Sequence, residues 1–132
     1  MKTQSFRVLI ADDDHNICFI VSTVLRRQGH TVEIVKNGKE AIELFMLKPG
    51  YFNVLITDND MPLVSGLELV DHLRNSEIQV KIIVMSGSLT MELVSAYRNK
   101  HVDNILQKPF TVEDLSSALN DILENWKHMA HA

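Results

Sequence analysis

Short apolar runs alternate with segments of helical periodicity along most of the chain. Residues 8–11, 54–57 and 82–85 are predominantly apolar and show no period of two. Such runs are typical of strands that are covered on both faces of a parallel sheet. Residues 31–35 alternate between polar and apolar side chains, and residues 104–107 are short and partly polar. The pattern therefore predicts three central strands and two edge strands.

Between the strands, apolar residues recur at the spacing of amphipathic helices. The stripe predicted for the first helix consists of Ile17, Ile20, Val21, Val24 and Leu25. The fourth helix has the weakest stripe, formed by Met91, Val94 and Tyr97, and we expect it to be loosely held. The fifth helix opens at Thr111, and Asp114 follows where a capping box places its acidic partner. The sequence thus predicts five helices of unequal regularity.

The alternation of predicted strands and helices indicates an α/β domain. Short connections between them favour a parallel sheet with right-handed crossovers and helices on both faces, which is the doubly wound arrangement. The length of 132 residues fits a single domain. We assign residues 1–127 to this domain and residues 128–132 to a short polar tail, and we therefore expect no DNA-binding module in the chain.

Composition and charge narrow the class of protein. The chain is 45% hydrophobic and 23% charged, which suffices for one core and argues against a disordered protein. Its 13 basic and 17 acidic residues give a net charge of −4, so no excess positive charge is available to bind nucleic acid. Cys18 is the single cysteine and cannot form an internal disulfide, and the first apolar run is too short for a signal peptide or membrane span. We expect a cytoplasmic protein without membrane association.

Carboxylates and other polar groups gather at the predicted carboxyl ends of the strands, where doubly wound sheets bind ligands. Three aspartates at positions 12–14 follow the first strand, where Asp14 is placed to cap the first helix, and Asp58 follows the third. Ser86 and Lys108 follow the fourth and fifth strands. Carboxylates that converge repel one another, so a cation is needed to offset them. The metal ligands available there are oxygen atoms, which favours a hard cation, Mg²⁺ over Zn²⁺.

These motifs resemble, in their order and spacing, the receiver domain of two-component response regulators, a family that includes the single-domain chemotaxis regulators. The resemblance extends over about residues 6–126. The matching residues are Asp12-Asp13, Asp58 with Met61-Pro62 and Gly66 after it, Ser86-Gly87, and Lys108-Pro109-Phe110. It implies the family's flavodoxin-like fold, a five-stranded parallel sheet in the order 2-1-3-4-5 with five helices.

The resemblance also implies a magnesium site built around a phosphoacceptor. Asp58 would be the phosphoacceptor, and Asp12 and Asp13 would be the acidic pair that holds Mg²⁺, with Asp13 as a direct ligand. Asp58 itself and the backbone carbonyl of Asp60 would complete the protein's share of the coordination. Waters and the phosphoryl group would supply the remaining ligands, since Mg²⁺ usually retains water.

The resemblance implies that further residues bind the phosphoryl group or change the partner surface when it is bound. The Asp58 carboxylate would attack phosphorus to give an aspartyl phosphate, and Ser86 and Lys108 would bind the phosphoryl oxygens. Many receivers have Tyr or Phe where this chain has Ile105, so an aromatic switch at this position is not assumed. We expect Ser86, Ile105, Lys108 and Pro109 to belong to the region that changes the partner surface, which is the face of the fourth helix, last strand and fifth helix.

Partners follow from the same resemblance. The phosphoryl donor would be a sensor histidine kinase, a phosphotransfer protein or a small phosphodonor, and the output would be a protein contact with a downstream target. We expect a monomer or a weak, phosphorylation-dependent dimer. The domain would be a regulatory acceptor with at most slow self-dephosphorylation, and not an enzyme.

Two alternatives stay open at this point. The sequence Asp58-Asn59-Asp60 resembles the Asp-x-Asp motif of haloacid-dehalogenase-type phosphatases, in which the second acid serves as general acid and base. Pro62 stands where that motif has Thr or Val, which disfavours this alternative. The second lies within the receiver family: the domain would be a phosphate sink or a part detached from a larger regulator.

Overall fold

The structure, a computed structural model, describes residues 5–130, with side chains to residue 125. Strands and helices alternate strictly along the chain. They are β1 (Arg7–Ala11), α1 (His15–Arg27), β2 (Thr31–Val35), α2 (Gly38–Leu47), β3 (Val54–Asp58), α3 (Gly66–Asn75), β4 (Lys81–Ser86), α4 (Met91–Asn99), β5 (Asn104–Gln107) and α5 (Val112–Ala130). The tail predicted at 128–132 is helical up to Ala130, and residues 131 and 132 lie outside the described part. Within that part, no helix is long and apolar enough for a membrane span.

The five strands form one parallel sheet in the order β2-β1-β3-β4-β5, which confirms the predicted fold class and strand order. The three apolar runs are the central strands, and the two more polar segments are the edges, because only the central strands are covered on both faces. From β1 the chain proceeds to β2 on one side and then crosses to β3 on the other. This reversal opens a crevice at the carboxyl ends of β1 and β3.

Two apolar layers cover the sheet, one on each face. Alternate residues of a strand enter opposite layers, so Val8 and Ile10 join the layer with α1 and α5, while Leu9 and Ala11 join the layer with α2, α3 and α4. Neither layer contains a buried ion pair distant from the carboxyl edge among the described residues. The two acids that are buried in the described part of the chain, Asp12 and Asp58, both lie at that edge.

Local hydrogen bonds fix the beginnings of several helices. Asp14 is the N-cap of α1, as its position suggested, and accepts backbone N–H bonds from the first turn. Thr111 and Asp114 form the reciprocal pair expected before α5, with N···O distances of 2.9 and 3.0 Å. A further capping box between Ser65 and Glu68 begins α3 and was not identified from the sequence. These caps fix the residue at which each helix begins after the loop that precedes it.

Two predicted stripe residues do not pack as expected. Ile20 is 49% exposed, whereas Cys18 is buried, because the buried face of α1 runs through Cys18, Val21 and Leu25 and is rotated from the predicted stripe. Met91 is 87% exposed at the first turn of α4. The buried side chain of α4 is that of Tyr97.

Leucine truncation should separate buried from exposed positions. We expect Leu25→Ala to lower the free energy of unfolding by about 2–5 kcal/mol, since Leu25 is fully buried beneath α1. Leu47→Ala is the matched control, because Leu47 also lies on a helix but is 75% exposed, and it should change stability by about 0.5 kcal/mol or less. Urea denaturation measures both, and equal losses would contradict the described packing.

Candidate functional site

The candidate site lies at the carboxyl edge of the sheet. Asp12 directly follows β1, Asp58 is the last residue of β3, Ser86 is the last residue of β4, and Lys108 directly follows β5. Backbone hydrogen bonds continue the sheet to this edge: the Lys108 N–H donates to the Ser86 carbonyl at 2.8 Å, and the Asp12 N–H donates to the Val35 carbonyl at 3.1 Å. The parallel register thus brings residues distant in sequence to one place.

Three carboxylates converge at the crevice. Oxygen atoms of Asp12, Asp13 and Asp58 all lie within 4.8 Å of one another. Asp12 and Asp58 are buried, with exposures of 1% and 6%, while Asp13 is exposed to solvent. An all-oxygen set that is open on one side fits a hydrated Mg²⁺ ion better than it fits Zn²⁺.

Lys108 bridges the two buried acids. Its Nζ donates to Asp12 Oδ2 at 3.0 Å and to Asp58 Oδ1 at 3.2 Å. Such charge-assisted hydrogen bonds are stronger than neutral ones. Three carboxylates set against one ammonium group leave two negative charges, which is the charge that one divalent cation would neutralise.

The protonation of the pair follows from these contacts. Burial raises the pKa of Asp58 above its usual value, and the charge of Asp12 adds to this, whereas Lys108 and the Asp60 backbone N–H act in the opposite direction. Burial favours the neutral form of Lys108, but its hydrogen bonds and charge interactions with Asp12 and Asp58 outweigh this effect and raise its pKa. Lys108 is therefore cationic at neutral pH.

The neighbouring Asp14 and Asp60 have different surroundings. Asp14 accepts from the Asn16 N–H at 2.8 Å as the cap of α1, and its own N–H donates to Asp12 Oδ1 at 2.9 Å. It therefore orients Asp12 and is directed away from the cluster. The side chain of Asp60 accepts from Asn59 Nδ2 at 3.2 Å, and its backbone N–H bonds the Asp58 carboxylate.

Ser86 and the residues after β5 complete the surroundings. Ser86 is fully buried, follows the register partner of Asp58, and its hydroxyl accepts from the Ser88 N–H at 3.2 Å. The peptide bond between Lys108 and Pro109 is cis. Ile105 is half-buried on β5 and packs against the layer of α2, α3 and α4.

The thiol of Cys18 lies below the acidic cluster. It is buried and donates to the Asp12 carbonyl at 3.3 Å. Burial, together with the charges of Asp12 and Asp14, raises the pKa of Cys18 to about 11. The thiol is therefore neutral at physiological pH, which fits a packing role and does not fit a nucleophile.

A tyrosine beside the site was not identified from the sequence. Tyr97 is fully buried, and its hydroxyl donates to Asn59 Oδ1 at 2.5 Å. The helical stripe predicted only that Tyr97 would pack, and no spacing signal pointed to its hydroxyl. The contact places α4 against the residue that follows Asp58.

The family model described as "Response regulator receiver domain" matches residues 8–120. Response regulator MprA of Mycobacterium ulcerans (strain Agy99) is 30% identical over 123 residues, which is 93% of this chain and 52% of MprA. Transcription factor SKN7 of Saccharomyces cerevisiae is 31% identical over 88% of this chain and 18% of its own length. This chain thus spans about half or less of these relatives.

Solved structures of similar chains agree with this match. Chemotaxis response regulator CheY4 of Vibrio cholerae has a TM-score of 0.79 and 28% identity, covering 89% of this chain and 98% of CheY4. A CheY-like receiver domain protein from Methanospirillum hungatei JF-1 has a TM-score of 0.85 and 25% identity, covering 96% and 99% of the two chains. The chain therefore belongs to the family of response regulator receiver domains of two-component systems.

Proposed function

We propose that this receiver domain accepts a phosphoryl group on Asp58 in a Mg²⁺-dependent reaction and thereby changes a surface that another protein recognises. The observation that carries the proposal is the cluster at the carboxyl edge: Asp12, Asp13 and Asp58 within 4.8 Å, with Lys108 bonded to two of them. The buried Asp58 carboxylate lies beside the Lys108 ammonium group, and two negative charges of the cluster are left for a divalent cation to offset. This arrangement suits phosphoryl transfer, which depends mainly on positioning and charge stabilisation.

The proposed step is a direct displacement at phosphorus. An Asp58 carboxylate oxygen forms the new O–P bond while the P–N bond of a phosphohistidine breaks, and the bond's electron pair leaves with the imidazole nitrogen. With acetyl phosphate, the bond that breaks is the P–O bond to the acetate. When bound by Asp12, Asp13, Asp58 and the Asp60 carbonyl, Mg²⁺ would neutralise charge on the phosphoryl oxygens.

Lys108 serves two roles in this proposal. It favours the ionised, nucleophilic form of Asp58, because its positive charge opposes the effect of burial on the Asp58 pKa. After transfer, the Lys108 ammonium and the Ser86 hydroxyl would bind oxygens of the new phosphoryl group. Lys108 would exchange its bond to the Asp58 carboxylate for a phosphoryl oxygen. The Ser86 hydroxyl, which accepts from the Ser88 N–H, would donate its own hydrogen to another phosphoryl oxygen.

We infer the partners and setting by the same reasoning. The phosphoryl donor would be a histidine kinase, a phosphotransfer protein or a small phosphodonor, and the output would be a protein that binds the α4-β5-α5 face near Ile105 and Pro109. The domain would act in the cytoplasm as a regulatory acceptor without turnover of its own beyond slow self-dephosphorylation. A monomer or a weak dimer formed on phosphorylation fits this role.

A haloacid-dehalogenase-type phosphatase is not favoured. The receiver family model extends over residues 8–120, and Asp60 is exposed and bonded to Asn59. A phosphate sink, or a receiver separated from a larger regulator, remains compatible with the same chemistry, since both use Asp58 in the same way.

Phosphorylation should occur on Asp58 and require Mg²⁺. Incubation with acetyl phosphate and Mg²⁺ is expected to add the mass of one phosphoryl group, and Asp58→Asn should abolish the addition because the amide is not a nucleophile here. Intact-mass spectrometry measures the product. Asp14→Asn is the matched control, since asparagine still caps α1, and it should retain the addition. Phosphorylation of Asp58→Asn at the normal rate would refute the assignment.

Magnesium affinity should depend on Asp13 and much less on Asp14. We expect Asp13→Asn to weaken Mg²⁺ binding by roughly tenfold or more, which is about 1.4 kcal/mol or more, because one of the clustered charges is lost. Asp14→Asn should change the affinity by less than about threefold, a loss below about 0.7 kcal/mol. Isothermal titration calorimetry gives both values. Equal losses in the two variants would show that only the net charge matters.

The raised pKa of Asp58 predicts how stability depends on pH. A pKa raised in the folded state means that the folded chain binds the proton more tightly, so this carboxyl lowers stability as the pH rises through its folded pKa. In a chelator at neutral pH, Asp58→Asn should therefore be more stable than the wild type, and the difference should shrink in acid. Thermal melts of both proteins at neutral pH and at acid pH measure this difference in stability. A less stable Asp58→Asn variant at neutral pH would contradict the electrostatic description.

A further inference from the structure

The hydroxyl of Tyr97 joins α4 to the loop that begins at the phosphoacceptor. Tyr97 is fully buried, and its hydroxyl donates to Asn59 Oδ1 at 2.5 Å. Asn59 directly follows Asp58, the end of β3. A single side-chain hydrogen bond therefore connects a helix of the proposed output face with the residue next to the proposed nucleophile.

Asn59 is held from several directions. Its N–H donates to the Met85 carbonyl at 2.9 Å, and its carbonyl accepts from the Gly66 N–H at 3.0 Å. Its side-chain nitrogen donates to Asp60 Oδ1 at 3.2 Å. Because the same amide accepts from Tyr97, a rotation of the Asn59 side chain would disturb both Tyr97 and Asp60. Asp60 supplies the carbonyl proposed for Mg²⁺ and the N–H that bonds Asp58.

The space for the Tyr97 hydroxyl depends on Gly66. A Cβ at this position would lie 2.8 Å from the Tyr97 hydroxyl and 2.5 Å from the Asp58 carbonyl. Both distances are shorter than side-chain carbons tolerate, so only glycine lets the phenol approach the loop from below. Burial and the charges of Asp58 and Asp60 raise the pKa of Tyr97, which keeps the hydroxyl protonated as a donor.

The far end of α4 is anchored independently. Lys100 Nζ bonds Asp71 of α3 at 2.7 Å, and Arg74 Nε donates to the Lys100 carbonyl at 3.0 Å. Met91, at the beginning of α4, is 87% exposed. Tyr97 thus lies near the anchored carboxyl end of α4, whereas the first residue of the helix is exposed, and a small displacement of α4 would change the surface there.

We propose that Tyr97 is a positioning residue that holds the 58–60 loop through Asn59 and couples the state of Asp58 to α4. The coupling rests on the proposed function of Asp58. The site and α4 are then connected through the hydrogen bond between Asn59 and Tyr97. This connection does not require an aromatic side chain at position 105, where this chain has Ile105. Phosphorylation of Asp58 would alter the hydrogen bond between Asn59 and Tyr97, and this change would displace Tyr97.

The two tyrosines of the chain allow a direct spectroscopic test. Protein labelled with 3-fluorotyrosine contains fluorine only at Tyr51 and Tyr97, and Tyr51→Phe assigns the two ¹⁹F signals. We expect Mg²⁺ with beryllium fluoride, a stable phosphoryl analogue, to shift the Tyr97 signal and leave the Tyr51 signal in place. The shift should be absent in Asp58→Asn. A Tyr97 signal that does not move while Asp58 is loaded would overturn the coupling.

Removal of the hydroxyl provides the functional test. Tyr97→Phe keeps the ring and should weaken Mg²⁺ binding by about threefold to tenfold, the range of one net hydrogen bond. Tyr51→Phe is the matched control and should leave the affinity unchanged. Asn59→Ala should weaken Mg²⁺ binding by a similar factor. The double variant of Tyr97→Phe and Asn59→Ala should bind Mg²⁺ only slightly more weakly than either single variant, because both substitutions remove the same contact. Calorimetry measures all four proteins.

The outcomes distinguish the coupling from the proposed function. Failure of wild-type protein to gain a phosphoryl group from acetyl phosphate would remove the proposed function, and the coupling with it. A wild type that is phosphorylated, together with a Tyr97→Phe variant that loses stability but keeps the wild-type Mg²⁺ affinity, would reduce Tyr97 to a packing residue. Additive losses in Tyr97→Phe and Asn59→Ala would likewise overturn the coupling through their hydrogen bond.

Discussion

The mutual repulsion of Asp12, Asp13 and Asp58 is the constraint on which the site depends. Two of these acids are buried, where repulsion between charges is stronger than in water. The fold tolerates them because Lys108 lies between the two buried carboxylates. That arrangement leaves an excess of negative charge, which a divalent cation would offset.

The topology of the sheet supplies the positions that this electrostatic arrangement needs. Lys108 is 96 residues from Asp12 and 50 residues from Asp58 along the chain, yet all three lie at neighbouring strand ends. Parallel pairing in register places Ala11 beside Thr57, and Asp58 beside Met85. The central strands β1, β3 and β4 are buried on both faces, so they cannot slide without exposing core residues. Apolar packing far from the site therefore keeps the charged residues of the site together.

The sequence predicted the features that depend on periodic patterns. The five strands and the capping residues Asp14 and Thr111 agree with the structure, because burial on two faces and local hydrogen bonds leave a direct trace in the residue types. The strand order also agrees, but it was implied by the resemblance to receiver domains and not by any periodic pattern. The prediction that Ile20 belongs to the packed stripe of α1 was wrong, because the buried face of the helix runs through Cys18, Val21 and Leu25. The contact between Tyr97 and Asn59 could not be predicted, because it joins residues 38 positions apart and depends on the space left by Gly66.

The position of Tyr97 bears on how a receiver without an aromatic residue on β5 can respond. A side chain that rotates between buried and exposed positions needs free space, and Ile105 is a β-branched residue with restricted rotation. Tyr97 instead occupies a buried place with a specific acceptor, so a change at Asn59 would be converted into a shift of the helix and not into a rotation of one side chain. The anchor between Lys100 and Asp71 would then favour displacement of the opposite end of α4. Under the proposed coupling, the response would depend on how firmly the two ends of α4 are held.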